Sequence, residues 1–154
     1  MMNKIMTIAV LAALTSVPAL ADGTHDDEAT AYGEPGTAAQ VSRAIEVQAA
    51  DNMRYTPAAI TVRRGETIKF VVKNMGRMQH EFVLGDAKEL EEHAELMRRY
   101  PDMEHDDPNM AKVAPGGTVS LIWKFTRAGT VEFACLIPGH YEAGMKGEIR
   151  VDAK

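Results

Sequence analysis

Cysteine is nearly absent from this chain, since Cys135 is the only one among 154 residues. A single cysteine excludes an internal disulfide. A free thiol is also prone to oxidation in the compartments that receive secreted proteins. Ligation of a metal would account for its presence, because a coordinated thiol is held deprotonated and occupied.

Basic charge and long apolar runs are also scarce. Lys and Arg number 17 against 22 Asp and Glu, which gives a net charge of −5. Because the chain is acidic and has no basic stripe, nucleic acid is not an expected partner. The apolar run at residues 5–14 is too short to cross a bilayer, so no membrane span is expected in the mature form.

The amino-terminal residues instead follow the order of a secretory signal peptide. Lys4 supplies a positive charge, residues 5–14 form the apolar segment, and residues 19–21 form a small-x-small cleavage pattern. We expect residues 1–21 to be removed, the mature chain to begin at Asp22, and the product to be periplasmic.

Residues 22–43 have little apolar content. The run His-Asp-Asp-Glu at residues 25–28 is followed by Gly33, Pro35 and Gly36, which favour turns. Such a segment cannot bury enough apolar surface to order itself. It is predicted to be a flexible acidic arm, with its histidine exposed.

From residue 44 onward, apolar and polar residues alternate, which is typical of half-buried β-strands. The alternating inward positions are Ile45, Val47 and Ala49; Ile60 and Val62; Ile68, Phe70 and Val72; Val119, Leu121, Trp123 and Phe125; Val131, Phe133 and Cys135; and Ile149 and Val151. Turns with Gly and Pro separate these segments. The pattern predicts one all-β sandwich domain over residues 44–154, large enough for a single core.

One segment departs from the β pattern. Residues 87–99 place Ala87, Leu90, Ala94 and Met97 at helical spacing, and a proline two positions later ends the pattern. We expect a helix inserted between two strands. Insertions of this length in compact domains tend to be functional or mobile.

The cysteine lies in a Cys-x4-His-x4-Met run formed by Cys135, His140 and Met145. A thiolate, an imidazole and a thioether on one short loop favour copper over magnesium, calcium or manganese. A second imidazole must come from elsewhere, and His80, in another strand-like segment, is the candidate. Packing is the alternative, because a lone cysteine is often an inert buried residue and Met145 would also fill core space.

These residues resemble the motif of the cupredoxins, the small type 1 copper proteins that include plastocyanin, azurin and auracyanin. The resemblance covers about residue 44 to the carboxyl terminus. It implies a Greek-key β-sandwich with one type 1 copper, for which His80, Cys135 and His140 are trigonal ligands and Met145 is the weak axial ligand. It also implies that electrons enter or leave through a partly exposed His140.

The chain departs from the family pattern at two points. Many cupredoxins have asparagine directly after the first ligand histidine, whereas this chain has Glu81. The spacing between Cys135 and His140 is also longer than in plastocyanin. The second difference predicts a copper geometry distorted from blue toward green.

A second set of soft ligands lies in and after the predicted helix. His93 and Met97 are one helical turn apart, and Met103, His105 and Met110 follow. Thioethers and imidazoles favour copper(I), so a second, weaker copper site is a possible role for these residues. The alternative is that the methionines fill gaps in the core.

Two functions follow from the resemblance. The first is a non-enzymatic carrier that moves single electrons by Cu(I)/Cu(II) cycling and docks transiently on redox partner proteins through Ile137, Pro138 and Tyr141 around His140. The second is a periplasmic copper-tolerance protein that binds or buffers copper with the additional His and Met residues. An enzyme is not expected, because the second cysteine of a dinuclear copper centre and the extra histidine motifs of copper oxidases are missing. Oligomeric state and redox potential are left open.

Overall fold

The computed structural model of the protein describes residues 30–104 and 106–154. The elements in these residues are β1 (Glu34–Pro35), β2 (Arg43–Ala50), β3 (Arg54–Thr56), β4 (Ala59–Arg63), β5 (Thr67–Asn74), β6 (His80–Gly85), α1 (Ala87–Arg99), β7 (Met110–Val113), β8 (Thr118–Lys124), β9 (Gly129–Ala134) and β10 (Lys146–Asp152). A short 3₁₀ helix, Ala38–Gln40, lies between β1 and β2. In the described part of the chain, no helix combines the length and the apolar character needed to span a bilayer.

The strands form two five-stranded sheets. The first has the order β1-β8-β5-β2-β3 and the second the order β4-β10-β9-β6-β7. Two neighbouring pairs are parallel, β2 with β5 and β4 with β10, and the other pairs are antiparallel. Consecutive strands such as β5 and β6 therefore lie in different sheets. The predicted all-β sandwich with one inserted helix is confirmed.

Aromatic rings fill the space between the sheets. The buried rings are Tyr32, Tyr55, Phe70, Phe82, Trp123, Phe125 and Phe133. Phe82 contacts Phe70 and Phe133, with ring centroids 5.2 Å and 4.9 Å apart. Aromatic pairs of this kind contribute about 0.5–1.5 kcal/mol each beyond the burial of their area. They fix β6 and β9 against the opposite sheet, and these two strands lead to the candidate metal ligands.

The helix α1 has the predicted bounds and a capping box at its start. The Asp86 carboxylate accepts a hydrogen bond from the Glu89 backbone N–H at 2.8 Å, and the Glu89 carboxylate accepts one from the Asp86 N–H at 3.2 Å. These two bonds satisfy amide groups that have no partner within the first helical turn. The chain therefore enters the helix directly after β6.

A second apolar cluster lies between α1 and the second sheet. Its buried members are Val83, Leu90, Ala94, Met97, Met110, Ala134 and Leu136. Every residue of β6 is buried, because its inner face packs in the sandwich and its outer face lies beneath the helix. The insertion thus has a structural role, which is to cover the strand that begins with His80.

The prediction of a flexible arm over residues 22–43 is wrong for residues 30–43, the part that the structure describes. From Thr30 onward the chain packs on the sandwich, and β1 pairs with β8. Tyr32 is 6% exposed, and its hydroxyl donates to the Leu84 carbonyl at 3.1 Å.

This segment is ordered because the unpaired backbone N–H and C=O groups at the edge of a sheet can hydrogen-bond a further strand whatever its side chains. Gly33 permits the close approach, because a Cβ at this position would lie 2.3 Å from the Lys124 carbonyl oxygen. The predicted signal peptide at residues 1–21 and the rest of the predicted arm, residues 22–29, lie outside the described residues.

Candidate metal centre

Three of the predicted ligands converge at one end of the sandwich. His80 is the first residue of β6, Cys135 follows the last residue of β9, and His140 lies in the loop that leads to β10. Because β6 and β9 are antiparallel neighbours, with Val83 opposite Ala134, the start of one strand lies beside the end of the other. The sheet register therefore brings together side chains that are 55 positions apart in the chain.

The ligand atoms of His80, Cys135 and His140 all lie within 4.8 Å of one another. Cys135 Sγ is 3.3 Å from His140 Nδ1, and the centroids of the two imidazole rings are 5.2 Å apart. His80 and Cys135 are 0% exposed and His140 is 5% exposed. Within residues 30–104 and 106–154, no other group of three His, Cys, Asp or Glu side chains is arranged in this way.

The hydrogen bonding of His80 fits a metal. Its Nε2 atom is 3.1 Å from Asp51 Oδ1. Its Nδ1 atom is buried, and no group among the described residues hydrogen-bonds it. A buried polar atom left in this state costs about 1–3 kcal/mol, a cost that ligation of copper by Nδ1 would remove. The imidazole, thiolate and thioether set is also the one that suits copper.

Burial raises the pKa of the Cys135 thiol to about 12, although the Glu81 and Ile137 N–H groups oppose this effect by donating to the sulfur. The thiol is therefore protonated at neutral pH in the metal-free protein. Burial lowers the pKa of His140, and the neighbouring His80 lowers it further. A neutral imidazole is the form that ligates a metal, so the surroundings of His140 favour binding.

The predicted axial residue, Met145, lies next to the cysteine. The Cys135 N–H donates to the Met145 carbonyl, and the Met145 N–H donates to the His140 carbonyl, both at 3.0 Å. The loop 135–145 is thus closed by its own backbone. Met145 is completely buried and belongs to the sandwich core, so packing and axial ligation are both compatible with its position.

Glu81, which stands where many cupredoxins have asparagine, contacts the cysteine sulfur through its backbone. The Glu81 backbone N–H donates to Cys135 Sγ at 3.3 Å. The Tyr55 hydroxyl in turn donates to the Glu81 carbonyl. Because the sulfur contact comes from the backbone, it does not depend on the residue type at position 81.

Of the second set of soft ligands, the structure describes His93, Met97, Met103 and Met110. Met97 and Met110 are buried in the cluster beneath the helix, as the packing alternative predicted. Met103 is 36% exposed, and His93 is half-buried on α1. His105 lies outside the described residues, so a second copper site there stays a prediction.

Sequence reasoning missed two residues of the β2–β3 hairpin, Asp51 on its turn and Arg54 at the start of β3. The Asp51 carboxylate contacts His80, and the Arg54 guanidinium donates to the Ala143 carbonyl at 2.7 Å. The β2–β3 hairpin thus contacts both segments that carry the candidate ligands. An acidic residue in a polar turn carries no signal of such a contact, because the contact depends on how the two sheets are stacked.

A β-sandwich with a buried His-Cys-His group at this end defines a cupredoxin. The chain belongs to the plastocyanin/azurin family of copper-binding proteins, whose family model matches residues 41–152. It is therefore a copper-binding protein, and copper is its cofactor.

Relatives and solved structures give the same assignment. The chain is 49% identical to the copper-resistant cuproprotein CopI of Rubrivivax gelatinosus, over 98% of this chain and 99% of the relative. It is 41% identical to the copper-resistant cuproprotein CopI of Pseudomonas aeruginosa, over 94% of each. The dithionite-reduced auracyanin of Roseiflexus castenholzii has a TM-score of 0.62 at 27% identity, covering 72% of this chain and 98% of the auracyanin.

Proposed function

We propose that this chain is an exported copper protein of copper resistance that carries single electrons at one type 1 site. His80, Cys135 and His140 are its trigonal ligands and Met145 its axial ligand. The observation that carries the proposal is the buried group of three ligand atoms within 4.8 Å. The two relatives, both named copper-resistant cuproproteins, support the biological role.

Bound copper would supply a centre that exchanges one electron. Copper(II) and copper(I) prefer different geometries, so a ligand set held between them limits the rearrangement that accompanies the exchange. His80 is held by a strand buried on both faces, and the loop 135–145 is closed by backbone hydrogen bonds. These restraints support fast electron transfer.

The surroundings of His140 support transient docking of a redox partner protein. His140 retains a small exposed fraction, whereas His80 has none. Pro138 is exposed beside it, and Ile137 and Tyr141 are half-buried. An apolar rim around a ligand imidazole gives a partner a contact surface close to the metal.

Copper buffering by the insertion is the less favoured alternative. Two of its thioethers, those of Met97 and Met110, pack beneath α1. Fewer His and Met side chains of the insertion are therefore left for a second copper site than the sequence indicated. We therefore place the contribution to copper resistance at the type 1 site, and we propose a carrier rather than an enzyme.

Copper titration of the mature protein and of the Cys135→Ser variant tests the site. We expect the wild type to bind one copper tightly, with an intense visible thiolate-to-copper band, and the variant to lack that band. If the predicted distortion toward green is correct, more than one charge-transfer band will contribute. A single long-wavelength band would exclude the green geometry, and the absence of any visible band would exclude a type 1 site.

Growth in copper tests the role in resistance. A strain that lacks the gene is complemented with the wild type, with Cys135→Ser, or with Glu92→Gln, a substitution on the exposed face of α1. We expect the wild type and Glu92→Gln to restore growth and Cys135→Ser to fail. Full rescue by Cys135→Ser would show that copper resistance does not depend on this site.

A further inference from the structure

We propose that Asp51 is a positioning residue for the copper ligand His80, which it holds with Nδ1 turned to the metal and whose electron donation it strengthens. The part of this inference that concerns bound copper rests on the function proposed above. The part that concerns the orientation and tautomer of His80 applies to the metal-free protein as well.

The contact between Asp51 and His80 selects one tautomer. An ionised carboxylate can only accept hydrogen bonds, so the hydrogen between Asp51 Oδ1 and His80 Nε2, 3.1 Å apart, belongs to Nε2. The lone pair of a neutral ring then lies on Nδ1. This is the buried atom for which the described residues provide no hydrogen-bond donor or acceptor.

Asp51 is itself held in place by the loop before β6. Its Oδ2 atom accepts the Arg77 N–H at 2.8 Å, and its Oδ1 atom accepts the Met78 N–H at 3.3 Å. Those two bonds leave the carboxylate little freedom to turn. The Asp51 side chain is 35% exposed, whereas the His80 side chain that it contacts is completely buried. The carboxylate therefore lies between solvent and the buried imidazole.

Gly76 makes this arrangement possible. A Cβ at this position would lie 1.9 Å from Asp51 Oδ1, which no real side chain tolerates. The Gly76 N–H donates to the Asn74 side chain at 2.9 Å, which folds the loop around the carboxylate. The loop is thus shaped to receive an acidic side chain from the opposite sheet.

The carboxylate has a chemical effect beyond orientation. A hydrogen bond from the second ring N–H of a ligating histidine to a carboxylate raises the basicity of the ligand. A more basic imidazole stabilises copper(II) relative to copper(I). We therefore expect Asp51 to lower the reduction potential of the site compared with a neutral residue at the same position.

Two variants separate charge from hydrogen bonding. Asp51→Asn keeps the size of the side chain and removes its charge, whereas Asp51→Ala removes the acceptor. We expect Asp51→Ala to lose roughly 10- to 100-fold in copper affinity. We expect Asp51→Asn to raise the reduction potential with a smaller loss of affinity. Glu46→Gln is the matched control, because Glu46 is an acidic residue on β2 whose partners are Lys73 and Gln48.

The metal-free protein gives a readout that does not depend on copper. At a pH where the ring is neutral, nitrogen NMR distinguishes hydrogen on Nε2 from hydrogen on Nδ1. We expect the Nε2–H tautomer of His80 in the wild type and in Glu46→Gln, and a mixture of tautomers in Asp51→Ala. If Asp51→Ala does not fold, the reduction potential of the isosteric Asp51→Asn variant provides the test.

The inference is overturned if His80 is the Nδ1–H tautomer in the wild type. It is also overturned if Asp51→Asn leaves the potential where Glu46→Gln leaves it. A wild type with the expected tautomer but without a type 1 spectrum would instead contradict the proposed function, so the two failures are distinguishable.

Discussion

Two regions of this molecule are rich in soft ligands, the loop 135–145 and the insertion from α1 to β7, and the structure uses them differently. In the loop, Cys135 and His140 turn toward His80 and away from solvent. In the insertion, Met97 and Met110 turn into an apolar cluster. A metal site requires ligands that converge on a rigid backbone, and the thioethers of Met97 and Met110 pack against apolar side chains instead.

Removal of a loop ligand should have the largest effect. We expect His140→Ala to abolish the intense visible band of the copper-loaded protein, because it removes one of the three proposed ligands, all of which are buried. Copper titration followed by visible absorption measures the change. Met110→Leu is the matched substitution in the insertion, and a comparable loss of the band there would contradict the distinction between the two regions.

Truncation in the insertion should affect stability instead. Leu90 lies on the buried face of α1, and Leu→Ala at such positions costs about 2–5 kcal/mol. We expect Leu90→Ala to lower the free energy of unfolding of the metal-free protein by this amount while copper stoichiometry stays at one. Urea unfolding gives the free energy, with Leu96→Ala on the exposed side of the same helix as the control. A change in stoichiometry would show that the helix does more than cover β6.

The buried thiol of the loop 135–145 should make the stability of the metal-free protein depend on pH. Its pKa, about 12 in the folded protein against an ordinary 9.0, means that the folded state keeps a proton that the unfolded state loses. Stability is therefore fully present below about pH 9 and falls by at most about 1.4 kcal/mol per pH unit above it. The difference in unfolding free energy between the wild type and Cys135→Ser isolates this contribution. A difference that stays constant from pH 8 to pH 11 would contradict it.

Conservative changes of the buried methionines should have the smallest effect. Leu and Met are similar in volume, so Met97→Leu with Met110→Leu is expected to cost less than about 1.5 kcal/mol per site. We expect the number of copper(I) ions bound under anaerobic conditions to stay the same. Loss of a bound copper(I) in the double variant would show that a second copper site exists and that these thioethers belong to it.

Local patterns were sufficient for much of the fold and of the site. Alternation placed Cys135 on the inward side of its strand, and the apolar spacing with Pro101 located α1. These features depend on residues close together in the chain. The ligand set was obtained from the spacing of Cys135, His140 and Met145 together with the family resemblance, which supplied His80.

What sequence reasoning missed depends on contacts between distant segments. The pairing of β1 with β8 and the burial of Tyr32 require an open sheet edge that forms only when the sandwich is assembled. The contact of Asp51 with His80 spans 29 positions and depends on the stacking of two sheets. Neither position has a residue type or spacing that distinguishes it from an ordinary polar segment.

Because β6 is covered on both faces, its amide hydrogens have no local route to solvent. Exchange of such amides requires opening of the sandwich or removal of the helix from the sheet, which are the rarest fluctuations of a folded domain. The loop that carries His140 has no such cover, since Pro138, Gly139, Glu142 and Ala143 are exposed, and hydrogen bonds within its own backbone hold it instead. The two imidazoles of the candidate site are therefore restrained in different ways, His80 by a strand covered on both faces and His140 by hydrogen bonds within one loop.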